Sequence, residues 1–527
     1  MHLVSYEFMT FMAVLLVLYY LIPHRFQWVL LLAASYLFYI CGGVFYLAYP
    51  LLTTVSTWFL AGQIGKLTSQ SKEYIKEQNL DKEQRKAHNR QVKKKQRFLM
   101  ILGLVFNFGI LAVLKYLNFV LQNINGILGL AGIQGEFSYV NWLLPLGISY
   151  YTFQSMGYLI DIYYRKYDPE RNLARFALFV SFFPQLVAGP ICRFDQMKAQ
   201  LYSGHDFRVR TVKLGLWRML WGYFKKLVVA DRLGPAVIML VSSPETYDGI
   251  YVLLGMVGYT IWMYADFSGG MDIVLGAGQL FGIKLPENFE RPFFSKNLAE
   301  FWRRWHMSLM LWLREYIFFP VSTSRFCQNV SRQAGRWWGK EAGRKAPVYV
   351  ASLTVWLVAG IWHGASWNFV IWGLANCLVM LISQELTGWY RRFRKRAAFA
   401  ERQGYRYFQI IRTFFLFCFL EMFEYYPFKT VFTMLGSLFT SPAVSRLWDG
   451  GLEGLGIGTA DMGILAAGIF LMFAVSAAQR RGSVREKLEG KSLPVQYGVV
   501  FGLFLVVLIT GIYGQGYDAS QFIYNQY

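Results

Sequence analysis

The sequence predicts an all-α polytopic integral membrane protein. Hydrophobic residues make up 55% of the 527 residues and charged residues only 16%, which are too few charges to cover the surface of a soluble protein. Apolar runs recur along the whole length, and many approach the roughly 20 residues that a helix needs to span a bilayer. Basic residues cluster between these runs, as the positive-inside rule describes for cytoplasmic loops.

About 11–12 membrane-spanning helices are predicted, within a single membrane-embedded domain over residues 1–527. The apolar segments are residues 7–22, 27–41, 43–63, 98–120, 141–163, 211–242, 250–268, 348–362, 366–386, 407–426, 461–478 and 495–513. Two further apolar segments, 174–191 and 427–440, are short or interrupted by proline, which is typical of re-entrant or interfacial helices.

The longest polar segment, residues 64–97, is basic and is predicted to form a cytoplasmic loop. Three spans precede it, so the N-terminus is expected outside. Basic stretches at 325–345, 391–406 and 480–491 are assigned to the same side, where anionic lipid headgroups are the expected partners. A net charge of +22 also suits nucleic-acid binding, but the clustering between spans accounts for it, and no nucleic-acid partner is expected.

Two of the six histidines have a context that indicates chemistry, and the first is His363. It lies between two apolar runs whose outer flanks are both assigned to the cytoplasm, so the chain must enter the membrane and return. From Ala346, roughly 17 residues of helix rise about 25 Å, somewhat short of a ~30 Å hydrocarbon layer. An ionisable group at that depth indicates function, and apolar surroundings favour the neutral imidazole that a general base needs. The alternative is a histidine satisfied by backbone in a packed bundle.

The second is His306. At about 100° per residue, the segment 298–316 places seven apolar side chains on one broad face. They are Leu298, Phe301, Trp302, Trp305, Leu309, Trp312 and Tyr316. Arg303 and Arg314 share a different edge, which predicts an amphipathic helix at the membrane boundary with His306 at the seam. The arginines either hold a phosphate-bearing donor while the histidine assists, or anchor an interfacial helix.

Other catalytic and cofactor signatures are absent from the sequence. It contains no Gly-x-Ser-x-Gly elbow, no Gly-x-x-x-x-Gly-Lys phosphate loop and no histidine followed by an aspartate five residues on. The five cysteines do not have metal-ligand or redox spacing. The sequence therefore predicts neither a metal site nor a bound cofactor.

Two stretches, residues 288–309 and 362–368, resemble the bacterial membrane-bound O-acyltransferase (MBOAT) family. They read NFERPFFSKNLAEFWRRWHMSL and WHGASWN. The similarity is to the membrane subunits of alginate and peptidoglycan O-acetylation, with the subunit of teichoic-acid D-alanylation nearby. It extends over nearly the whole chain, with weaker agreement at residues 145–154, 184–191, 264–270 and 516–524. After Pro320, relatives often continue with a leucine and two glycines, whereas this chain has Val-Ser-Thr-Ser, so the acyl group stays open.

The resemblance implies a ring of membrane helices around a tunnel, with the catalytic motifs in residues 284–386. It places His363 in the catalytic position and makes His306 the second conserved histidine. It also implies transfer of a short acyl group, with acetyl expected, from a cytoplasmic thioester towards hydroxyls of an envelope polysaccharide. Candidate substrate and donor residues are Asn288, Arg291, Trp302, Arg303, Trp305, Ser308, Arg314, Trp362 and Asn368.

The expected co-substrate is acetyl-CoA or an acyl-carrier protein, and an SGNH-type or esterase-like partner outside the cell often completes the transfer in the family. The expected location is the bacterial cytoplasmic (inner) membrane. One alternative is transfer of D-alanine from a carrier protein to teichoic acid. A different class of alternative is a transporter without covalent catalysis, because transporters also place polar groups at the bilayer midplane.

Overall fold

Helices form the regular secondary structure in the part of the chain that the computed structural model describes, which is residues 1–133, 135–141, 144–397, 399, 402–514 and 517–518. The α-helices are α1 (Tyr6–Leu21), α2 (His24–Ile40), α3 (Ala48–Glu77), α4 (Lys82–Leu130), α5 (Ile148–Tyr163), α6 (Leu173–Ser181), α7 (Phe183–Ala188), α8 (Phe194–Tyr202), α9 (Val209–Tyr223), α10 (Asp231–Ser242), α11 (Ile250–Leu280), α12 (Leu298–Trp302), α13 (Met307–Leu313), α14 (Phe319–Ser322), α15 (Arg325–Trp338), α16 (Lys340–His363), α17 (Trp367–Glu385), α18 (Thr387–Arg396), α19 (Gln403–Tyr425), α20 (Phe428–Thr440), α21 (Thr459–Ala478), α22 (Val484–Glu489) and α23 (Leu493–Thr510). Two π-helices (Phe224–Ala230 and Arg314–Phe318) and 3₁₀ helices (Val44–Leu47, Pro292–Phe294, Val444–Leu447, Glu453–Leu455 and Gln479–Arg481) complete the set. The predicted all-α class is confirmed. Of the predicted motif at 516–524, residues 516 and 519–524 lie outside the described residues.

Seven helical segments among the described residues are long and apolar enough to cross a membrane. They are Val44–Glu77, Lys82–Leu130, Ile250–Leu280, Lys340–His363, Trp367–Glu385, Thr459–Arg481 and Leu493–Thr510. The other predicted spans also fall on helices, but these are shorter (α1, α2, α5), interrupted (α9 to α10) or more charged (α19). The chain is therefore a multi-pass membrane protein, and the ring and tunnel stay predictions.

The basic segment 64–97 is helical, so the predicted loop is wrong over most of its length. Helix α3 continues to Glu77, and α4 begins at Lys82. Lysine, arginine, glutamate and glutamine are strong helix formers, so the charged sequence extends both helices beyond their apolar parts. Asp81 begins α4 with a capping box, in which its side chain accepts the Gln84 N–H at 2.8 Å. Only residues 78–81 form the turn.

Residues 1–212 and 277–286 form one compact unit, whose core is aromatic. The ring of Phe38 packs against Phe8 and Phe183, with centroids 6.1 and 5.8 Å away. Gly147, which precedes α5, has φ 67°, and a Cβ there would lie 1.9 Å from the carbonyl oxygen of Leu186 on α7. Glycine is therefore required where α5 begins against α7.

Residues 213–276 and those from 287 onward form the second compact unit, which contains both sequence-predicted histidines. In this unit α16 and α17 form an antiparallel hairpin. Lys345, near the start of α16, pairs with Glu385, at the end of α17, at 2.7 Å. The predicted reversal of the chain at His363 is thus confirmed, because this residue ends α16 at the opposite end of the hairpin.

Two glycines let the helices of this hairpin approach closely. A Cβ on Gly360 would lie 2.3 Å from the carbonyl oxygen of Phe369, and one on Gly373 would lie 2.4 Å from that of Trp356. Backbone atoms cannot move aside as a flexible side chain can. The hairpin that carries His363 is therefore tightly packed at its tip.

Buried ion pairs join the π-helix Phe224–Ala230 to α11. The ammonium of Lys225 lies 2.7 Å from Asp272, and that of Lys226 lies 2.6 Å from Asp266. Charged groups in a membrane-embedded bundle are costly unless they are paired in this way. The pairs therefore explain how two adjacent lysines are accommodated in a predicted span.

Candidate active site

His363 ends helix α16 at the tip of the hairpin. The next residue, Gly364, is extended, and a Cβ there would lie 2.1 Å from the ring of Phe369. Helix α17 then begins with Ser366 as its N-cap, whose hydroxyl accepts the Asn368 N–H at 3.3 Å. The Gly-Ala-Ser sequence after the histidine therefore ends one helix and starts the next within three residues.

His363 is buried, with 7% of its surface exposed, among aromatic rings. Its ring centroid lies 4.6 Å from that of Trp372 and 6.3 Å from that of Phe369. Its Nδ1 atom lies 3.8 Å from Oε1 of Glu424 on α19. The imidazole thus lies beside aromatic rings and a carboxylate.

His306 lies at a break between helices, so the predicted continuous amphipathic helix over 298–316 is wrong. Helix α12 ends at Trp302, and α13 begins at Met307. His306 has φ 46° and is 1% exposed, so it is buried and does not lie at the seam of an interfacial helix. The carbonyl oxygen of Asn288 accepts the Met307 N–H at 3.0 Å, so a distant segment binds the first turn of α13.

Asn288 determines which nitrogen of His306 carries the proton. Its side-chain oxygen accepts both the backbone N–H and the hydroxyl of Ser308, each at 2.9 Å. The same oxygen also lies 3.4 Å from Nδ1 of His306, but the two shorter bonds from Ser308 occupy it, and the amide nitrogen lies nearer to Nδ1, at 3.2 Å. In the neutral ring Nδ1 therefore accepts, and Nε2 carries the hydrogen.

Burial keeps His306 neutral. The residue lies outside the seven candidate spans, and its burial, together with the neighbouring His363, lowers its pKa well below the ordinary value. Since the charged form is disfavoured, His306 is a hydrogen-bond donor through Nε2 at physiological pH.

One indole joins the two histidines. The ring of Trp362, 5% exposed, has its centroid 5.6 Å from that of His306 and 5.2 Å from that of His363. Residues that the sequence predicted separately, on two motifs, therefore meet in one buried site.

The two other predicted tryptophans belong to the aromatic packing below this site. Trp302 donates its indole N–H to the side-chain oxygen of Asn376 at 3.1 Å, and its ring lies 5.6 Å from Trp372. Trp305 packs against Phe417, with centroids 5.4 Å apart. These contacts are structural, and a role in donor binding stays a prediction.

Arg303 and Arg314 do not share one helical edge. Arg303 follows the last residue of α12, whereas Arg314 begins the second π-helix, and both are exposed. Asn368 is half-buried in the first turn of α17. None of these three has a described contact with either histidine, so their role in donor binding also stays a prediction.

Arg291 lines a large cavity in the same unit. Its backbone has φ 54°, and its Nε donates to the carbonyl oxygen of Ser476 at 2.6 Å. The cavity has a volume of about 680 Å³, within the range of ligand sites. Arg485 on α22 lines it, and Met307, which directly follows His306, lines it as well. Its apolar wall comes from α9, α21 and α23.

Sequence reasoning missed two buried glutamates on α19. Glu421 accepts the indole N–H of Trp372 at 3.0 Å, and Glu424 accepts the hydroxyl of Tyr259 at 3.0 Å. The signal was available, because two carboxylates three residues apart inside the apolar run 407–426 mark an intramembrane polar site. Their partners lie on other helices, so the sequence does not show what they contact.

The comparisons with known proteins agree with the predicted resemblance. The sequence profile of the MBOAT, membrane-bound O-acyltransferase family matches residues 170–334. A probable alginate O-acetylase of Pseudomonas putida is 32% identical over 378 residues, which cover 71% of this chain and 69% of the relative. The chain belongs to the membrane-bound O-acyltransferase family.

Two further relatives bear on the branch within the MBOAT family. A probable alginate O-acetylase of Azotobacter vinelandii is 35% identical over 365 residues, 69% of this MBOAT chain and 64% of the relative. A teichoic acid D-alanyltransferase of Bacillus subtilis is 29% identical over 259 residues, 48% of this chain and 62% of the relative. The present chain therefore spans just under two thirds of the length of each of these two relatives.

Proposed function

We propose that this chain transfers an acetyl group from a thioester donor towards hydroxyl groups of a cell-envelope polysaccharide. Membership of the membrane-bound O-acyltransferase family supports acyl transfer, and the similarity to alginate O-acetylases supports acetyl as cargo and a polysaccharide as acceptor. The multi-pass fold suits the bacterial cytoplasmic membrane, in which a donor from the cell interior meets an envelope polymer.

The observation that carries the proposal is the meeting of His306 and His363 at Trp362. A hydroxyl is a poor nucleophile at neutral pH until a base removes its proton, and a neutral buried imidazole can do so. His363 is the proposed base. His306 presents an N–H, which suits stabilisation of the negative charge that develops on the thioester oxygen.

In this reaction the bond between the hydroxyl oxygen and the acetyl carbon forms, and the carbon–sulfur bond of the thioester breaks. The hydroxyl proton passes to His363 and then to the leaving thiolate, so the products are an ester and a thiol. No oxidant, metal or bound cofactor is required for this balance.

The cavity beside Met307 is the proposed donor site. Its lining includes Arg485, in a stretch assigned to the cytoplasm, and residues of α23 from Val499 to Val506, about 10 Å of helix rise. Arg218 is already paired with Asp272 and Glu287, whereas Arg291 and Arg485 suit phosphate groups of a thioester donor such as acetyl-CoA or an acyl-carrier protein. The apolar wall suits the arm that bears the thioester. The donor therefore reaches His306 from the basic side.

D-alanine is the second candidate cargo, and it is favoured by the similarity to the Bacillus subtilis D-alanyltransferase. That similarity is lower in identity and covers less of this chain than the similarity to the alginate O-acetylases. The sequence departure after Pro320 does not separate the two. We therefore place acetyl first.

Mass spectrometry of envelope polymers from strains with and without the gene tests the proposal. We expect acetyl esters that disappear on deletion and return with the wild-type gene but not with a His363→Gln gene. D-alanyl esters in their place would support the second cargo. If no ester depended on the gene and cells instead took up an intact substrate, the chain would be a transporter. Co-purification of an SGNH-type or esterase-like protein would identify the partner that completes transfer.

A further inference from the structure

Two carboxylates near the end of helix α19 are buried, and they have different partners. Glu421 is 1% exposed and Glu424 is 7% exposed. Residues three apart lie on the same face of a helix, so both point into the hairpin that carries His363. Burying a carboxylate is costly unless hydrogen bonds or a charge partner compensate for it. The partners therefore show what each glutamate does.

Glu421 supports packing. Its Oε1 atom accepts the indole N–H of Trp372 at 3.0 Å, and this tryptophan is 1% exposed in the aromatic core. A neutral amide oxygen could accept the same hydrogen bond. Nothing in this contact requires a negative charge.

The two carboxylate oxygens of Glu424 have different neighbours, Tyr259 and His363. Oε2 accepts the hydroxyl of Tyr259 on α11 at 3.0 Å, which restrains the carboxylate. Oε1 then faces Nδ1 of His363 at 3.8 Å. This distance is about 1 Å longer than a charge-assisted hydrogen bond, and catalytic hydrogen bonds are often long before substrate binds.

We propose that Glu424 is a positioning residue for His363. This inference rests on the proposed acyl transfer. The carboxylate accepts the N–H of Nδ1, so Nε2 is the basic nitrogen and faces the acceptor hydroxyl. When Nε2 takes the hydroxyl proton, the imidazolium forms beside a carboxylate and is stabilised. The proton then leaves from Nε2 to the thiolate, and Glu424 itself never changes its protonation.

Glutamine at each position separates positioning from packing. Glu424→Gln keeps the size of the side chain and an acceptor for Tyr259 but removes the charge. Glu421→Gln is the matched control, since it makes the same change one turn away, where an amide oxygen suffices. We expect Glu424→Gln to lower kcat by about 10²-fold or more with KM within about twofold, as for the orienting carboxylate of a catalytic triad. Glu421→Gln should keep kcat near the wild-type value.

The measurement is acetyl transfer in proteoliposomes with a labelled acetyl thioester, at protein levels matched by size-exclusion chromatography. Tyr259→Phe removes only the hydroxyl group that donates to Glu424, and it should give a smaller loss of kcat than Glu424→Gln. Full kcat in a folded Glu424→Gln variant would overturn the proposal. Equal losses in Glu424→Gln and Glu421→Gln would also overturn it, because they would indicate a shared structural effect.

A second readout does not depend on the proposed reaction. Diethyl pyrocarbonate acylates imidazole nitrogens, and peptide mass spectrometry gives its rate at His363. If Glu424 orients the ring, this rate should fall several-fold in Glu424→Gln and not in Glu421→Gln. An unchanged rate would overturn the positioning role. If the wild-type chain transferred no acetyl while the rate still fell, the positioning role would stand and the proposed function would fail.

Discussion

Replacing His363 with glutamine is the most direct test of the proposed chemistry. Glutamine keeps hydrogen-bonding capacity and much of the imidazole volume, but it cannot accept a proton near neutral pH. General-base assistance is typically worth about 10²- to 10⁴-fold, which corresponds to a barrier about 2.7–5.5 kcal/mol higher. The variant should therefore lose nearly all acyl transfer.

The structural cost of the same change is smaller. His363 loses its ring contact with Trp372, and an aromatic pair is worth about 0.5–1.5 kcal/mol beyond its buried area. Folded domains typically have 5–15 kcal/mol of stability, so the variant should still insert and fold. The two effects differ enough that activity per folded molecule distinguishes them.

The assay is labelled acetyl transfer in proteoliposomes, normalised to folded protein. His24→Gln is the control, because His24 is exposed and pairs with exposed Asp206 at 3.2 Å. It should transfer acetyl at the wild-type rate. If folded His363→Gln kept near-normal transfer, His363 would be a packing residue, and His306 would be the next candidate base.

Three further predictions concern the site, the hairpin and the topology. Asn288→Ala removes three buried hydrogen bonds and should lower the free energy of unfolding by about 2–4 kcal/mol. The measurement is the thermal midpoint in detergent. An unchanged midpoint would contradict the hydrogen bonds that Asn288 makes to His306 and Ser308. Gly373→Ala places a methyl group 2.4 Å from a backbone oxygen and should lower the free energy of unfolding by about 1–3 kcal/mol in the same assay. Gly109→Ala is the control, because a methyl group there would meet no neighbouring atom within 4 Å, and it should not lower the midpoint. Equal midpoints for the two variants would refute the close packing. Cysteines introduced at Lys94 and Lys395 should resist a membrane-impermeant thiol reagent in intact cells and react after permeabilisation, and labelling of either in intact cells would overturn their shared cytoplasmic side.

The sequence predicted most helices because lipid leaves few alternatives. In the hydrocarbon layer the backbone must make all its hydrogen bonds within the protein, so an apolar run of sufficient length predicts a helix. The hairpin at His363 followed from the apolar runs on both sides of it and from the basic residues that flank them. The polarity of segment 64–97 predicts a loop, but its residues are strong helix formers, and the structure continues α3 and α4 into it.

The helix break at His306 lies beyond such reasoning. The aromatic periodicity over 298–316 fits a continuous helix, and nothing local opposes it. The break depends on Asn288, which binds the backbone of Met307 and Ser308 from a segment outside the helix. Likewise, Glu424 is visible in the sequence, but its contact with Tyr259 is a matter of helix packing. Tertiary hydrogen bonds of this kind decide the site, and periodicity does not encode them.

Helix α4 has a consequence for imaging this protein. Its 49 residues are about 73 Å long, more than twice the ~30 Å hydrocarbon thickness. The part before its apolar run, residues 82–97, alone accounts for about 24 Å, and the end of α3 packs beside it through Ser71 and Tyr74, which contact His88. In electron cryomicroscopy a small membrane protein has few features outside the micelle by which particles can be aligned. This pair of helices provides one, and the exposed turn at 78–81 is the natural place to insert a marker domain.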